Sequence, residues 1–172
     1  MRIITIRAKP GNPSQGLLQF GQQVFQVAIG RNGMTSAKRE GDGATPIGQM
    51  RMIAVHIRRD RHACISTRLP VHAIGARDGW CDAPAHACYN RPVHLPFSAS
   101  HEVMQRNDHL YDHVVVLDWN FTRRRRYGGS AIFLHLARPG FQPTEGCVAV
   151  RAHVMRQILT HASQDTVIEI RR

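Results

Sequence analysis

The chain has 172 residues, of which 42% are hydrophobic and 20% are charged, so it is long enough to bury one core but poorly supplied for two. Lysine and arginine number 23 against 12 acidic residues, a formal net charge of +11, which favours an anionic partner such as nucleic acid, anionic lipid or peptidoglycan. No run of about 18 apolar residues is present, which argues against a membrane-spanning helix. We therefore expect one domain over residues 1–172 with no transmembrane segment. A protein from an organism whose proteins are generally basic would have the same charge, so the charge alone does not identify the partner.

The N-terminal part of the chain is predicted to be a hairpin or meander. Ile3–Ala8 alternates apolar and polar residues, Gln22–Gly30 is rich in β-forming residues, and Pro10–Pro13 marks a turn between them. The first residues lack the apolar region of about 7–15 residues that secretory signals contain, so no export signal is predicted. Further strands are predicted at residues 50–56, 72–75, 114–117, 131–136 and 166–170.

Helical spacing marks only two short segments, Ser98–Arg106 and Ala152–Ala162. Strands outnumber helices, and the sequence has no internal repeat of 20–50 residues and no linker-like change in composition. These features predict a compact, mainly β domain with one or two short helices.

Four cysteines, at positions 64, 81, 88 and 147, are too few and too irregularly spaced for a disulfide framework in a chain of this length. A loop disulfide between Cys81 and Cys88 remains open, because the spacing does not show whether the two side chains face each other. Cys81, His86 and Cys88 match no standard zinc module, so neither a metal nor another cofactor is predicted.

The most informative stretch runs from a β-like segment carrying His135, through a Pro/Gly-rich loop, to Gly146 and Cys147. This order can return the thiol of Cys147 to the side of the imidazole. A neighbouring imidazole can accept the thiol proton, or hold an ion pair that lowers the cysteine pKa below its free value of about 8.5. The backbone N–H groups of Glu145 and Gly146 are candidates for an oxyanion hole. Spacing alone does not exclude a buried apolar cysteine and an ordinary core histidine.

His135, followed by Thr144-Glu145-Gly146-Cys147, resembles the catalytic signature of the L,D-transpeptidase catalytic domain (YkuD-like). The earlier segment Asp42-Gly43-Ala44-Thr45-Pro46-Ile47-Gly48 is similar to that family's Asp-Gly-x-Thr-Pro-x-Gly element. Segments 79–84, 89–91 and 108–112 are similar to a divergent proteobacterial branch. The resemblance departs at Glu145, where many members have histidine, and at Val148-Ala149, where many have Ile-Arg.

The resemblance implies a fold of two packed mixed sheets with one or two short helices. It also implies a peptidoglycan L,D-transpeptidase in which Cys147 is the nucleophile and His135 the general base and acid, with a backbone carbonyl such as that of Leu136 fixing the histidine tautomer. The implied products are stem-peptide cross-links, with a preference for L-Ala–diaminopimelate 1-3 links over 3-3 links.

Five residues are expected to shape the substrate groove or bind a stem carboxylate: Tyr89, Asn90, Arg91, Arg138 and Thr144. Guanidinium groups suit carboxylates, although Tyr89–Arg91 fits loop packing equally well. Thr144 is a candidate for holding the loop before Cys147 through its hydroxyl. Asp108, Tyr111 and Asp112 are predicted to form a structural loop.

The implied partners are donor and acceptor stem peptides in the periplasm or cell envelope of a Gram-negative bacterium. That location requires export, whereas no export signal is predicted from the sequence. An L,D-carboxypeptidase or amidase acting on muropeptides is an alternative. A non-catalytic module that binds polyanions through Arg123–Arg126 is another. No nucleic-acid-binding motif accompanies that arginine run, so no nucleic acid partner is expected.

Overall fold

The protein is described by a computed structural model that covers residues 2–62 and 64–172; Met1 and Ala63 lie outside the described residues. It is mainly β, as predicted, with fourteen strands and one α-helix in those residues. The strands are β1 (Arg2–Lys9), β2 (Asn12–Phe20), β3 (Gln23–Ala28), β4 (Met34–Thr35), β5 (Thr45–Pro46), β6 (Gly48–Ile57), β7 (Val71–Ala73), β8 (Asp78–Cys81), β9 (Arg91–His94), β10 (His101–Val103), β11 (His113–Leu117), β12 (Phe133–Leu136), β13 (Val148–Val150) and β14 (Thr166–Arg171). The helix is α1 (Ala152–His161), and a single 3₁₀ turn spans Pro139–Phe141.

The main sheet is mixed and has nine strands in the order β11-β12-β13-β3-β2-β1-β14-β6-β7. Strands β11 and β6 also pair with each other, with Val115 opposite Val55, so eight of the nine strands form a closed ring. Strand β1 lies parallel to β14 and antiparallel to β2. Two small sheets complete the fold: β10-β8-β9 and the parallel pair β4-β5.

The main core lies between the sheet and one face of α1. Val154, Met155, Ile158 and Leu159 are buried on that face, and they pack against apolar residues of the strands, including Ile4. The 3.6-residue spacing that predicted this helix is therefore a consequence of its one-sided burial. No helix in the described part of the chain is long and apolar enough to cross a membrane.

The helix predicted at Ser98–Arg106 is wrong, because this segment forms strand β10 and the bends around it. Glu102 lies opposite Trp80 in the antiparallel pairing of β10 with β8. Main-chain pairing with a distant strand therefore overrides the local apolar spacing on which the prediction rested. The strand β2 was also missed, since it has no strict apolar–polar alternation before Gly16.

All four cysteines, each within the described residues, are unpaired thiols. The disulfide considered between Cys81 and Cys88 is therefore not present in this structure. Cys81 is buried in strand β8, whereas Cys88 is half-buried in the turn that follows.

Candidate active site

A cavity of about 270 Å³ lies beside the ends of β12 and β13. It contains five residues singled out from the sequence: His135, Arg138, Thr144, Glu145 and Cys147. The other residues that line it are Glu102, Arg106, Leu110, Tyr111, Gln142, Pro143 and Ala149. The predicted nucleophile and the predicted base thus share one solvent-connected space.

The parallel pairing of β12 with β13 explains why these two side chains line the same cavity. Leu134 lies opposite Val148, and His135 lies opposite Ala149, so the residue before Val148 lies beside Phe133. Because side chains alternate between the two faces of a strand, Cys147 and His135 project toward the same face. Their neighbours Leu134 and Val148 project into the main core.

His135 is held in one tautomer by the backbone. Its Nδ1 lies 2.9 Å from the carbonyl oxygen of Leu136, so Nδ1 carries the proton and donates, and Nε2 keeps its lone pair. The bond expected between this histidine and Leu136 is therefore present. The side chain is buried, and burial lowers the pKa of His135 to about 4. The imidazole is accordingly neutral at physiological pH and able to accept a proton.

Cys147 is a buried, neutral thiol in this structure. Its Sγ donates to the carbonyl oxygen of Ala131 at 3.1 Å and accepts the N–H of Phe133 at 3.4 Å. Burial raises the pKa of Cys147 to about 12, and the negative charge of Glu102 adds to that increase. The lowered thiol pKa expected from a charged imidazole is therefore not found, because desolvation disfavours both members of such an ion pair.

The turn before Cys147 is fixed by the hydroxyl of Thr144. This hydroxyl donates to the carbonyl oxygen of Cys147 at 2.6 Å and accepts the N–H of Gly146 at 3.1 Å. The backbone of Thr144 also bridges to Gly30 in parallel fashion. The predicted positioning contact is thus present, and it commits the N–H of Gly146 to an internal hydrogen bond.

The Asp-Gly-x-Thr-Pro segment packs directly against this turn. The hydroxyl of Thr45 accepts the N–H of Gly30 at 2.8 Å and lies 3.4 Å from the carbonyl oxygen of Cys147. A Cβ atom added to Gly146 would lie 2.9 Å from the carbonyl oxygen of Ala44. The two motifs, about a hundred residues apart in sequence, therefore form one structural unit.

Lys38 places a buried positive charge beside this unit. Its side chain is only 3% exposed and forms an ion pair with Asp42, whose carboxylate also accepts the N–H of Ala44 at 2.9 Å. The positive charge opposes the increase in the pKa of Cys147. Lys38 was not singled out from the sequence, since a lysine in a basic chain gives no signal of burial.

Tyr89, Asn90 and Arg91 do not line the cavity formed by the described residues. The hydroxyl of buried Tyr89 donates to Glu40. The guanidinium of Arg91 donates to the carbonyl oxygen of Phe121 at 2.7 Å and stacks over its ring at 4.2 Å. These contacts join loops, so the structure lends no support to the predicted role in substrate binding.

Asn90 is the centre of a buried hydrogen-bond network. Its Oδ1 accepts from the indole of Trp80 and from the N–H of Ala131, each at 3.0 Å. Its Nδ2 donates to the carbonyl oxygens of Trp119 and Asn120 at 3.1 and 2.9 Å. All four hydrogen-bonding capacities of the amide are therefore used.

Two charged residues of the predicted site lie at its solvent edge. Glu145 has a side chain that is 76% exposed and forms an ion pair with Arg31. Arg138 is exposed at the end of β12. Both positions suit contact with a ligand that enters from outside.

Glu102, Arg106 and Tyr111 are three of the cavity residues that were not assigned to the site from the sequence. Tyr111 was predicted to be structural, but its ring packs on His135 with centroids 5.4 Å apart. The neighbouring aspartates do form structural ion pairs, Asp108 with Arg106 and Asp112 with Arg61. Glu102 was missed because its segment was assigned to a helix.

A second cavity, of about 430 Å³, does not contain the cysteine. It is lined mainly by apolar side chains, with His56, His72 and Asp78 at its edge. Burial and the neighbouring His72 lower the pKa of His56 to about 4. Within residues 2–62 and 64–172, no group of three or more His, Cys, Asp and Glu side chains is arranged to hold a metal ion. We place the chemistry in the smaller cavity, which is lined by both the candidate nucleophile and the candidate base.

Acid is expected to destabilise the fold between about pH 6.5 and pH 4, in part through His135. Because burial lowers its folded-state pKa from 6.5 to about 4, the unfolded chain binds this proton first, and the free energy of unfolding falls as pH drops through that window. A pKa shift of this size changes the free energy of unfolding by about 3 kcal/mol across that window. Urea unfolding of His135→Gln at pH 7 and pH 4.5 should show a smaller pH dependence than the parent. The exposed His153→Gln is the control, and equal pH dependence in both variants would contradict the assignment.

Comparison with known proteins agrees with the motifs described above. The family model YkuD, the L,D-transpeptidase catalytic domain, matches residues 12–170. Among solved structures, that of Bdellovibrio bacteriovorus Bd1075 is similar, with 15% identity and a TM-score of 0.45. The match covers 98% of this chain and 47% of that one, so this chain spans about half the length of that protein. No curated protein sequence matches the chain.

Proposed function

Because the chain belongs to the L,D-transpeptidase catalytic domain family, we propose that it transfers an acyl group from a peptidoglycan stem peptide to an amine through Cys147. The observation that carries this proposal is the shared cavity of Cys147 and His135, with the histidine tautomer fixed by Leu136. A nucleophile, an adjacent base and a group that orients the base are the parts that covalent acyl transfer requires.

The reaction begins with both groups neutral. As Sγ of Cys147 attacks the carbonyl carbon of an L-residue that precedes a D-residue, the thiol proton passes to Nε2 of His135. In the resting structure the thiol donates to Ala131, so its S–H must turn from that carbonyl to the imidazole. The attack forms a C–S bond, the scissile C–N bond breaks, and His135 returns the proton to the leaving amine.

The thioester that results is then resolved by a second amine. The acceptor nitrogen attacks the thioester carbon, His135 removes a proton from it, and the C–S bond breaks as Cys147 regains a proton. Water in place of the amine would give a carboxypeptidase. Access of the acceptor to the cavity therefore decides between cross-linking and hydrolysis.

The developing oxyanion is assigned to backbone N–H groups at Glu145 and Gly146. The N–H of Gly146 donates to Thr144 at 3.1 Å in the resting structure. Its participation therefore requires it to exchange this bond for one to the substrate. Such a donor is worth about 3 kcal/mol in the transition state when it is correctly aimed.

The substrate proposal extends to the products and the compartment. We assign stem peptides of peptidoglycan as donor and acceptor, with L-Ala–diaminopimelate 1-3 links as the expected product and 3-3 links as the alternative. The assignment places the protein in the periplasm of a Gram-negative cell, and a net charge of +11 suits an anionic wall. Cell fractionation that finds the protein only in the cytosol would contradict the compartment without affecting the chemistry.

Product analysis tests the proposal directly. Purified protein is incubated with disaccharide-tripeptide and disaccharide-tetrapeptide muropeptides, and the products are separated and sequenced by mass spectrometry. We expect cross-linked dimers and a covalent adduct on the intact protein, both absent in Cys147→Ala. The exposed cysteine variant Cys64→Ala is the matched control and should retain full activity.

Each other outcome points to a different function. Shortened monomers without dimers would favour the carboxypeptidase, and dimers linked only 3-3 would exclude the 1-3 assignment. No adduct and unchanged muropeptides would reject acyl transfer. If sacculus binding persisted in Cys147→Ala and vanished when Arg123–Arg126 were replaced, the module would be a polyanion binder, since that arginine run is exposed to solvent.

A further inference from the structure

The active-site cavity contains a carboxylate that the proposed reaction does not use. Glu102 is partly buried on β10 and lines the same space as Cys147 and His135. The hydroxyl of Tyr111 donates to its Oε2 at 2.5 Å, and the ring of Tyr111 packs on His135. The carboxylate is thus held in a defined place beside the reacting groups.

A negative charge at this position opposes the chemistry. A neighbouring anion disfavours the negative charge that develops on Sγ as the thiol loses its proton, and Glu102 does raise the pKa of Cys147. Burial also raises the pKa of Glu102 itself, because desolvation disfavours its charged form. An apolar side chain would fill the space without either cost.

The cavity arginine whose charge acts on Glu102 is already paired with another carboxylate. The guanidinium of Arg106 makes two hydrogen bonds to Asp108, at 2.9 and 2.7 Å. Its charge therefore offsets that of Glu102 only in part, and it is a minor contribution to the pKa of that carboxyl. An ammonium group on a bound ligand would balance the charge of the Glu102 carboxylate in this cavity.

The rim of the cavity offers the opposite charge. Arg138 is exposed at the mouth, whereas Glu102 lies further inside. A carboxylate inside and a guanidinium outside complement a ligand that carries an ammonium group and a carboxylate on one carbon. Such an end group occurs at the free amino-acid centre of a diaminopimelate residue.

We propose that Glu102 binds the ammonium, and Arg138 the carboxylate, of the zwitterionic end of a diamino acid in a stem peptide. This inference rests on the proposed function and identifies the part of the substrate that the cavity recognises. Binding of the ammonium neutralises Glu102, which removes the charge that opposes activation of Cys147. A purely structural Glu102, serving only to hold Tyr111, predicts no dependence on ligand charge.

Equilibrium binding to a catalytically inert protein tests this inference without relying on turnover. The ligand is a disaccharide-tripeptide whose only free amine belongs to diaminopimelate, either unmodified or N-acetylated. The protein carries Cys147→Ala, alone or combined with Glu102→Gln or with Glu169→Gln. Glutamine at 102 can still accept the Tyr111 hydrogen bond, and Glu169 lies on β14, away from the cavity.

We expect acetylation to weaken binding at least 10-fold in the Cys147→Ala protein and in the Glu169→Gln combination, and less than 2-fold with Glu102→Gln. Amidation of the carboxylate on the carbon that bears the free amine should weaken binding at least 5-fold, and Arg138→Gln should remove that difference. Acetylation that has no effect on the Cys147→Ala protein, or the same effect with Glu102→Gln, would overturn the proposal. The acetylated ligand tests it even if Glu102→Gln fails to fold.

Failure here is distinguishable from failure of the proposed function. Wild-type protein that forms dimers, together with binding that ignores the ammonium, rejects only the role of Glu102. An inactive wild-type protein that binds neither form of the ligand rejects both.

Discussion

Replacing Asn90 with alanine is expected to lower the free energy of unfolding by about 4 kcal/mol. The amide makes four hydrogen bonds, is 2% exposed and connects three separate segments of chain. Its loss leaves the indole N–H of Trp80 and the N–H of Ala131 buried without their acceptor, and each such group costs about 1–3 kcal/mol. Chemical denaturation monitored by tryptophan fluorescence measures the change.

Two further variants separate the causes. Asn90 has a left-handed backbone, with φ of 54°, which costs alanine about 1 kcal/mol and glycine nothing. Relief of this strain favours Asn90→Gly over Asn90→Ala by about 1 kcal/mol. The larger loss of backbone entropy on folding reduces that advantage of glycine. The exposed Asn107→Ala is the matched control, and a loss of stability equal to that of Asn90→Ala would refute the network.

The same change should also slow the reaction. Ala131 itself has a positive φ of 50°, and its carbonyl accepts the thiol of Cys147. Asn90 holds Ala131 in this strained conformation through the N–H of that residue. Its removal therefore loosens the residue against which the nucleophile rests.

Replacing Gly146 with alanine is expected to reduce acyl transfer at least 100-fold. Gly146 has φ of 136°, a conformation that L-residues rarely adopt, and the added Cβ would lie 2.9 Å from the carbonyl oxygen of Ala44 and 3.3 Å from Nζ of Lys38. Because the first of these is backbone, the turn has to move, and Cys147 moves with it. Displacement of a nucleophile by about 1 Å is sufficient for a loss of this size.

Gly140→Ala is the control for this prediction. Gly140 lies in the same loop between His135 and Cys147, also has a positive φ of 71°, and has open space where a Cβ would be added. It should therefore incur the backbone strain, about 1 kcal/mol, without displacing the nucleophile. Single-turnover acylation measured on both variants checks the difference, and similar rates for the two would show that the close approach to Ala44 is unimportant.

The elements that depend on local pattern could be predicted from the sequence. Alternation identified β1, a β-like run of residues identified most of β6, and one-sided apolar spacing identified α1. The placement of His135 and Cys147 in one cavity could also be anticipated, because a strand, a loop and a second strand return the chain to the same face. In these elements the backbone conformation is determined by residues that are close together in the sequence.

The features that depend on distant partners could not be predicted in this way. The segment 98–106 has helical spacing, yet β10 forms because β8 offers it an unpaired edge. The role of Asn90 in linking loops depends on segments around positions 80, 120 and 131 that only the folded chain brings together. Glu102 and Lys38 reach the site by the same long-range packing, so no local pattern identifies them.

The closed ring of strands has a consequence for the order in which the chain can fold. Strand β14 lies between β1 and β6 in the ring, although both precede it by more than a hundred residues. Synthesis on the ribosome therefore produces both flanking strands long before the one that joins them. Until β14 emerges, β1 and β6 each present an unpaired edge to other chains, the kind of surface on which aggregation begins. The chain is therefore most exposed to aggregation in the interval between the synthesis of β6 and the synthesis of β14.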